Sequence, residues 1–413
     1  MYKKTLFLSL RVFYTVQDLP GELSCAIIKA KFSNKEVPAT EYCLILLCAV
    51  WLALLIAERI RARRDRARLE HVIHVNGTRG KSTVTRLIAA GLRAGGWRTA
   101  CKTTGTDPIY SGVDGSERLI RRIAPSNIRE QLRILHRAAG ESAQILVAEC
   151  MAVQPELQRV AQQEMLLADI GVITNVRLDH TDVMGGTLSE IAFALSSTVP
   201  DGGVLFTAED RLTQQLAEAA QARQTRFFPV RPDGSEPDFD FAENIALALA
   251  VCAHLGVPRE TALEGMRHYS RDPYALSLWR LGGGIFVNAL SINDPESTAR
   301  VYADVRGRLG TEISRVVFLF NNRMDRGART RDMVRLAREL APDEVWLLGS
   351  GQDYFRRSLL RGGFSGGITP LGTRFEDHLR ALPAGTLVFA AGNIANDGRR
   401  LMDFAAKEGS PLV

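Results

Sequence analysis

The chain of 413 residues is long enough for two or three domains, and its composition, 46% hydrophobic and 24% charged, is that of an ordinary globular protein. The formal net charge is +6, but residues 59–68 contain six arginines and one aspartate, a sum of +5. A charge excess confined to one short segment argues against nucleic acid as a partner. The six cysteines are scattered without a CxxC pair, which argues against a zinc site or a disulfide framework.

The N-terminal part of the sequence predicts a membrane anchor. Residues 42–57 contain no charge and, with their flanking residues, reach the length of about 20 residues that a spanning helix needs. The arginines that follow favour an anchor over a buried core helix and place the C-terminal side in the cytoplasm. We therefore predict a single-pass anchor in the cell membrane at residues 39–58, followed by a basic linker at residues 59–70. For residues 1–38 the hypothesis is that they precede the native start, which would lie near the apolar segment.

From residue 71 onward, strand-like apolar runs alternate with helical patterns, which predicts an α/β fold with a largely parallel sheet. Arg271-Asp272-Pro273 follows a helical run at Phe241–His268 and gives the best domain boundary. We predict a central domain at residues 71–271 and a C-terminal domain at residues 272–413. The predicted strands are His71–Asn76, Ile145–Ala148, Ile170–Thr174, Val204–Phe206, Ile285–Val287, Val316–Phe320, Glu344–Leu348 and Thr386–Ala390.

The clearest motif is a glycine-rich turn, Gly77-Thr78-Arg79-Gly80-Lys81-Ser82-Thr83, between a predicted strand and an amphipathic helix. Its glycines let successive backbone N–H groups point at phosphate oxygens, and the start of the helix adds partial positive charge. Lys81 can bridge the terminal phosphates of a nucleotide, and the Ser82 hydroxyl can bind Mg²⁺. Val75 stands where the usual phosphate loop has its first glycine. The motif therefore predicts nucleotide binding in a variant loop, without selecting a reaction.

Two polar groups at the ends of later strands narrow the choice of reaction. Glu149 stands at the end of the predicted strand Ile145–Ala148, and His180 follows another strand in Leu-Asp-His-Thr-Asp. Ligands gather at the carboxyl ends of strands in a parallel sheet, so both side chains could converge on the mouth of the phosphate loop. A carboxylate and an imidazole there could complete a metal shell around the phosphates.

Six segments in the right order resemble the Mur ligase superfamily, and one of its branches closely: the ligase subunits of poly-γ-glutamate synthase (PgsB/CapB). The segments are GTRGKS, AECMAVQPE, LDHTDVMG, NALSINDPEST, FNNRMDRGART and AAGNIANDG. The resemblance implies a central P-loop NTPase-like Mur ligase domain with a parallel sheet, a smaller Rossmann-like C-terminal α/β domain, and ATP and Mg²⁺ as cofactors.

The resemblance also implies roles at matching positions. The residues that would bind ATP are Gly77, Thr78, Arg79, Gly80, Lys81, Ser82 and Thr83, with Lys81 catalytic at the β- and γ-phosphates and Asn244 near the base and ribose. Ser82 and Glu149 would hold one Mg²⁺, and His180 a second near the γ-phosphate. Asn288, Asn293 and Asp294 would face the substrate from the C-terminal domain. Arg323, Asp325 and Arg326 would meet substrate carboxylates or phosphates.

The chain departs from the cell-wall ligases of the superfamily in two places. Arg79 stands where they usually have asparagine. They also carry a carbamylated lysine downstream of the Asp-His pair, whereas residues 188–200 contain no lysine here. The second metal is therefore expected to be held differently, by Glu190 or by water.

The activity that the resemblance implies is ATP-dependent amide ligation. The γ-carboxyl of glutamate, or of a growing poly-γ-glutamate chain, would be activated as an acyl phosphate and coupled to the amino group of the next glutamate. Partners would be the membrane and the integral-membrane subunits of the synthase and export complex (PgsC/CapC and PgsA/CapA types). Two alternatives remain open: another ligase of the superfamily, such as a folylpolyglutamate-type enzyme, and a membrane-anchored nucleotide-binding regulator or kinase of an export machine.

Overall fold

The computed structural model describes residues 39–105, 107–122, 125–292, 294–323 and 327–412. Residues 1–38, and with them the hypothesis about the native start, lie outside the described residues. The chain divides into two compact units, Met1–Ile60 and Arg61–Val413.

The first described element is helix α1 (Ala39–Arg66), which has three arginines in its last turn. Its segment Thr40–Arg66 is long and apolar enough to cross a membrane, judged by length and composition. Near its end, Arg66 donates from Nη2 to Asp169 Oδ1 at 2.8 Å and from Nε to the carbonyl oxygen of Leu167 at 2.9 Å. The arginine segment thus contributes structural contacts as well as charge.

The first sheet has eight strands in the order β4-β3-β2-β5-β1-β6-β7-β8, and all neighbours are parallel except β2–β3 and β3–β4. Its central strand β1 lies between β5 and β6 and is almost fully buried, which is why its sequence is a nearly continuous apolar run. The strands are β1 (His71–Asn76), β2 (Thr99–Thr103), β3 (Ile109–Ser111), β4 (Glu117–Leu119), β5 (Ile145–Glu149), β6 (Ile170–Ile173), β7 (Val204–Thr207) and β8 (Arg226–Pro229).

Helices connect these strands and cover the sheet. A π-helical turn, Ala161–Leu166, and a 3₁₀ turn, Ser196–Thr198, extend two of them. A core cluster packs one face of the sheet against the helices at Lys81–Ala94, Ala242–His254 and Arg259–Arg267. The helices are α2 (Lys81–Ala94), α3 (Glu130–Gly140), α4 (Pro155–Val160), α5 (Thr181–Met184), α6 (Leu188–Leu195), α7 (Thr213–Ala222), α8 (Ala242–His254) and α9 (Arg259–Arg267).

The second sheet has seven strands in the order β13-β12-β11-β14-β10-β9-β15, and only the pairs that include β9 are antiparallel. Apolar clusters cover both of its faces. The strands are β9 (Ser277–Leu281), β10 (Gly284–Asn288), β11 (Arg315–Asn322), β12 (Glu344–Gly349), β13 (Gly367–Pro370), β14 (Thr386–Gly392) and β15 (Ser410–Pro411). The helices are α10 (Pro295–Leu309), α11 (Gly327–Leu340), α12 (Gln352–Arg361), α13 (Phe375–Arg380) and α14 (Asp397–Glu408), with a 3₁₀ turn at Gly310–Glu312.

The α/β architecture with two parallel-rich sheets confirms the predicted fold class. Two local predictions need correction. The helical run expected over Phe241–His268 is two helices, because Gly256 turns the chain at φ +78° and Pro258 precedes the second helix. Seven strands escaped prediction, namely β2, β3, β4, β8, β9, β13 and β15; most are short, polar or at sheet edges.

Candidate active site

The predicted phosphate loop forms a tight turn between β1 and α2, and two glycines make that turn possible. Gly77 has φ +128° and Gly80 has φ +79°, values that side-chain-bearing residues rarely adopt. A Cβ on Gly77 would lie 2.1 Å from Thr174 Oγ1, so the loop has no room for one. Both positions therefore require glycine.

Lys81, the first residue of α2, folds back across this loop. Its ammonium group donates to the carbonyl oxygens of Gly77 at 2.7 Å and Thr78 at 3.2 Å. Burial lowers the pKa of Lys81, and the charge of the nearby Glu149 opposes that shift. A phosphate group bound in the loop would replace the two carbonyl oxygens as partner of the ammonium group. Its negative charge would stabilise the protonated form of Lys81.

The segment that follows β6 holds the phosphate loop from the side. Thr174 Oγ1 donates to the carbonyl oxygen of Arg79 at 2.6 Å, and Asn175 Oδ1 accepts from the Arg79 amide at 3.1 Å. The Thr78 amide donates to the carbonyl oxygen of Asn175 at 3.0 Å. Thr174 and Asn175 thus fix the backbone of the loop.

Ser82 and Glu149 lie together where β1 and β5 end. The Ser82 hydroxyl donates to Glu149 Oε2 at 2.8 Å, and the Thr104 amide donates to the same oxygen at 2.6 Å. The two strands are neighbours in parallel register, with Val75 opposite Glu149, so the loop and the carboxylate meet at one edge of the sheet. Glu149 is buried and thereby held in one position.

This pair fits a Mg²⁺ ion of the kind that accompanies nucleotides. Such an ion uses one or two protein oxygens and takes its other ligands from phosphates and water. Among the described residues, no group of three or more His, Cys, Asp or Glu side chains could hold a metal ion by itself. Metal binding by Ser82 and Glu149 would therefore depend on the nucleotide.

Asp179 and His180 form the next part of the site. His180 has φ +48° and precedes the short helix α5, and its Nε2 lies 3.9 Å from Asp179 Oδ2. Glu190 lies elsewhere: its Oε2 accepts from the Thr187 amide at 2.9 Å and closes a capping box on α6. The expectation that Glu190 or water holds a second metal stays a prediction; in this structure the Glu190 carboxylate caps a helix, and Asp179 is the carboxylate beside His180.

A cavity of about 220 Å³ joins these groups. The phosphate loop and the Asp-His pair form one part of its wall, and residues that follow β2, β4 and β5 form another. Its lining residues are Asn76, Gly77, Thr78, Lys81, Thr104, Arg122, Ser126, Cys150, Met151, Ala152, Val153, Gln158, Asp179, His180, Met184 and Leu195. Burial raises the pKa of the Cys150 thiol to about 11, which makes it unreactive as a nucleophile.

The C-terminal domain reaches the phosphate loop through Asp294. This residue caps α10 by accepting from the Ser297 amide at 2.8 Å, and its other oxygen lies 2.6 Å from Arg79 Nε. Arg79 also lies 3.2 Å from Asp179 Oδ2. The arginine that replaces the usual asparagine therefore connects the two domains and the Asp-His pair.

The remaining predicted residues are placed less centrally. Asn288 is fully buried, and its amide donates to the carbonyl oxygen of Ala275 at 2.8 Å, so it anchors the interdomain segment and is not accessible to substrate. Asn244 is buried beside Gly80 and donates to Asp240 Oδ1 at 2.9 Å. Thr83 lies in the first turn of α2, and Arg323 directly follows β11. Asn293, Asp325 and Arg326 lie outside the described residues.

Sequence reasoning missed a charged cluster in the cavity wall. Arg122 lines the cavity and pairs with Glu130, which also pairs with Lys102. The one available signal was the charge of Lys102 inside an otherwise uncharged strand, and it does not reveal the partners. Asp179 was noticed only as the neighbour of His180.

Comparison with known proteins agrees with this geometry. Residues 75–247 match the Mur ligase middle domain, and residues 279–408 match the poly-gamma-glutamate synthase CapB C-terminal domain. A Yersinia pestis bifunctional folylpolyglutamate synthase/dihydrofolate synthase, complexed with AMPPNP and Mn ion, superposes with a TM-score of 0.60 at 14% identity, covering 86% of this chain and 97% of that one. The two family matches, together with the phosphate loop and the second α/β domain, place the chain among ligases of the Mur type.

Two curated relatives identify the branch. The chain is 38% identical to the capsule biosynthesis protein CapB of Bacillus anthracis over 276 residues, which are 64% of this chain and 59% of that protein. It is 37% identical to the PGA synthase CapB of Bacillus subtilis strain 168 over 303 residues, 70% of this chain and 76% of that protein. The chain belongs to the CapB family. The match spans about three fifths of the length of the first relative and three quarters of the second.

Proposed function

We propose that the protein is an ATP-dependent amide ligase that activates the γ-carboxyl of glutamate, or of a poly-γ-glutamate chain, and couples it to the amino group of the next glutamate. The observation that supports this most is the Ser82–Glu149 pair, 2.8 Å apart, at the mouth of a loop that also holds Lys81. In this proposal residues 71–271 bind ATP and residues 272–413 complete the ligase.

The reaction needs activation because a carboxylate has no good leaving group. A carboxylate oxygen attacks the γ-phosphorus of ATP, ADP leaves, and an acyl phosphate forms. Lys81 and the N–H groups of residues 77–83 stabilise the charge that moves during this step. Mg²⁺ held by Ser82 and Glu149 would neutralise further charge on the phosphates.

The second step forms the amide bond. The amine of the incoming glutamate loses a proton and attacks the acyl carbon, and phosphate leaves with the former carboxylate oxygen. Asp179 and His180 lie beside the phosphate loop and would hold the second metal that the resemblance implies near the γ-phosphate. Arg323 and Arg326 would bind substrate carboxylates through bidentate pairing.

The proposed cellular location of the protein rests on its N-terminal segment. We propose that residues 39–58 anchor the chain in the cell membrane and that the catalytic domains lie in the cytoplasm, where ATP is found. The relatives named above are a capsule biosynthesis protein and a PGA synthase. A polyanionic product formed beside a membrane suits transfer to integral-membrane subunits of a synthase and export complex.

The proposal is tested with membranes that contain the full chain and any subunits it requires. Glutamate or its γ-linked oligomers should stimulate ADP release, and hydroxylamine should trap the acyl phosphate as a hydroxamate. A kinase would instead transfer phosphate to a hydroxyl group without any dependence on glutamate. ADP release that ignores glutamate, with no hydroxamate formed, would refute the ligase assignment.

A further inference from the structure

A buried ion cluster lies in the wall of the cavity, away from the phosphate loop. Lys102 Nζ lies 3.1 Å from Glu130 Oε1, and Arg122 contacts the same carboxylate through two nitrogens, at 2.8 and 2.9 Å. Lys102 and Glu130 are almost fully buried, whereas the Arg122 side chain keeps 24% of its exposure. The strand β2, the helix α3 and the connection after β4 thus supply two cations and one carboxylate.

The cluster therefore holds one positive charge more than its own carboxylate balances. Burial lowers the pKa of Lys102, and the charges of Glu130 and Glu149 oppose that shift. Glu149, however, is bonded to Ser82 and the Thr104 amide and belongs to the proposed metal site. A metal ion held by Glu149 would offset the negative charge of that carboxylate. A charge buried without a partner is costly, so the cluster favours an anion on its exposed side.

Arg122 is the member of the cluster that can meet such an anion. Glu130 holds its Nε and Nη2 and so fixes the plane of the guanidinium, while Nη1 takes no part in that pair. Arg122 and Lys81 line the same cavity of about 220 Å³. A ligand with one anionic group at the phosphate loop can therefore place a second one at Arg122.

We propose that Arg122 binds the α-carboxylate of the glutamate whose γ-carboxyl is activated. Arg122 thereby selects, as acceptor of the phosphoryl group, a molecule with two carboxylates. The inference rests on the proposed function and adds a specificity-determining residue to it. Guanidinium groups pair with carboxylates in a fixed planar geometry, and pre-positioning by Glu130 reduces the entropy lost on binding. The surplus charge and the shared cavity both follow from described contacts.

The test compares two acceptors in the full chain in membranes: a γ-linked glutamate oligomer, and the same oligomer with an α-amide on the activated residue. In the unaltered protein, hydroxamate formation should favour the free α-carboxylate by about 10–100-fold in kcat/KM, the effect of one charged hydrogen-bonded pair. In Arg122→Ala this preference should fall to within about 2-fold. The KM for ATP should stay unchanged, and Arg122→Lys should lie between the two.

The preference is a ratio within each variant, so partial unfolding of Arg122→Ala does not alter it. Arg223→Ala serves as the matched control, since Arg223 pairs with Asp201 at 2.8 Å on the surface. A preference retained in Arg122→Ala, or a rise in the KM for ATP as large as that for the acceptor, would overturn the Arg122 assignment while leaving the ligase intact. Absence of any hydroxamate from the unaltered chain would remove the proposed function and this inference together.

Discussion

The carboxyl edges of the two sheets differ in what their side chains do. At the edge of the first sheet, Lys81, Glu149 and Asp179 line or adjoin a cavity. At the edge of the second sheet, Asn321 donates to the carbonyl oxygen of Ala395 at 3.0 Å and so binds the backbone of its own domain. The described polar side chains thus border a cavity at the first edge, whereas Asn321 at the second edge binds backbone of its own domain.

The second domain acts on the site from the start of α10 instead. Asp294 contacts Arg79, and Glu296 lies 3.1 Å from Arg211 and 3.7 Å from Arg177. These acidic groups meet arginines of the first domain around the phosphate loop. The residues proposed to carry out the reaction and the acidic residues that position the two domains are therefore different. The following changes test this difference, from the largest expected effect on activity or stability to the smallest.

The largest effect should come from Glu149→Gln. The change removes the carboxylate that accepts from Ser82, and with it the proposed metal ligand, so we expect kcat to fall by about 10²–10³-fold. The concentration of Mg²⁺ that gives half-maximal ADP release should also rise. Glu218→Gln, on an exposed helix face, is the control. An unchanged Mg²⁺ dependence would contradict the assignment.

A stability effect of similar size should appear on acidification. Burial lowers the pKa of His74, in β1, from 6.5 to about 4. The folded state therefore binds fewer protons than the unfolded state between these values, so stability is complete above pH 6.5 and declines as the pH falls toward 4. The difference corresponds to roughly 3 kcal/mol of unfolding free energy.

Hydrogen exchange at decreasing pH measures this effect by region. Protection should decline first in β1, whereas β11 should keep its protection, because the described histidine of the second domain, His378, is exposed. His74→Gln does not titrate and can still donate to Gln162, so it should weaken the pH dependence in β1. Equal loss in both strands would count against a special role for His74.

A smaller effect on activity is expected from Asp294→Asn. Asparagine still caps α10, but it loses the charge that faces Arg79 at 2.6 Å, so kcat/KM should fall by about 10-fold. A double-mutant cycle with Arg79→Lys should give a coupling energy of about 1–2 kcal/mol. Strictly additive effects would show that the two side chains act independently.

The smallest effect should come from Glu296→Gln. Glu296 is half exposed, and its contacts with Arg177 and Arg211 are open to solvent, so we expect a change in kcat/KM below about 2-fold. Any effect should disappear at high salt. A loss as large as that of Asp294→Asn would mean that the whole acidic turn, rather than one residue, positions the domains.

The sequence predicted those parts of the molecule that depend on local pattern. The bounds of β1 match the prediction, because a continuous apolar run ended by a glycine-rich turn determines both strand and loop. Ser82 and Glu149 meet because neighbouring parallel strands end at one edge. The roles of Asn293, Asp325 and Arg326 stay predictions.

Other features depend on tertiary contacts that no local pattern encodes. Lys102 is buried in β2 only because Glu130 comes from a helix that packs against that strand. Asn288 lies at the predicted strand end but is turned into the protein by the interdomain segment. The capping box of Glu190 differs from these, because Thr187 and Glu190 form a local pattern that the sequence already contains.

The central claim, amide formation through an acyl phosphate, is tested most directly by isotope transfer. The acceptor's γ-carboxyl is labelled with a heavy oxygen isotope, and the phosphate released during ligation is analysed by mass spectrometry. The account predicts that each phosphate carries one oxygen from the carboxyl group. Phosphate without the label, released at the rate of ATP turnover, would contradict it.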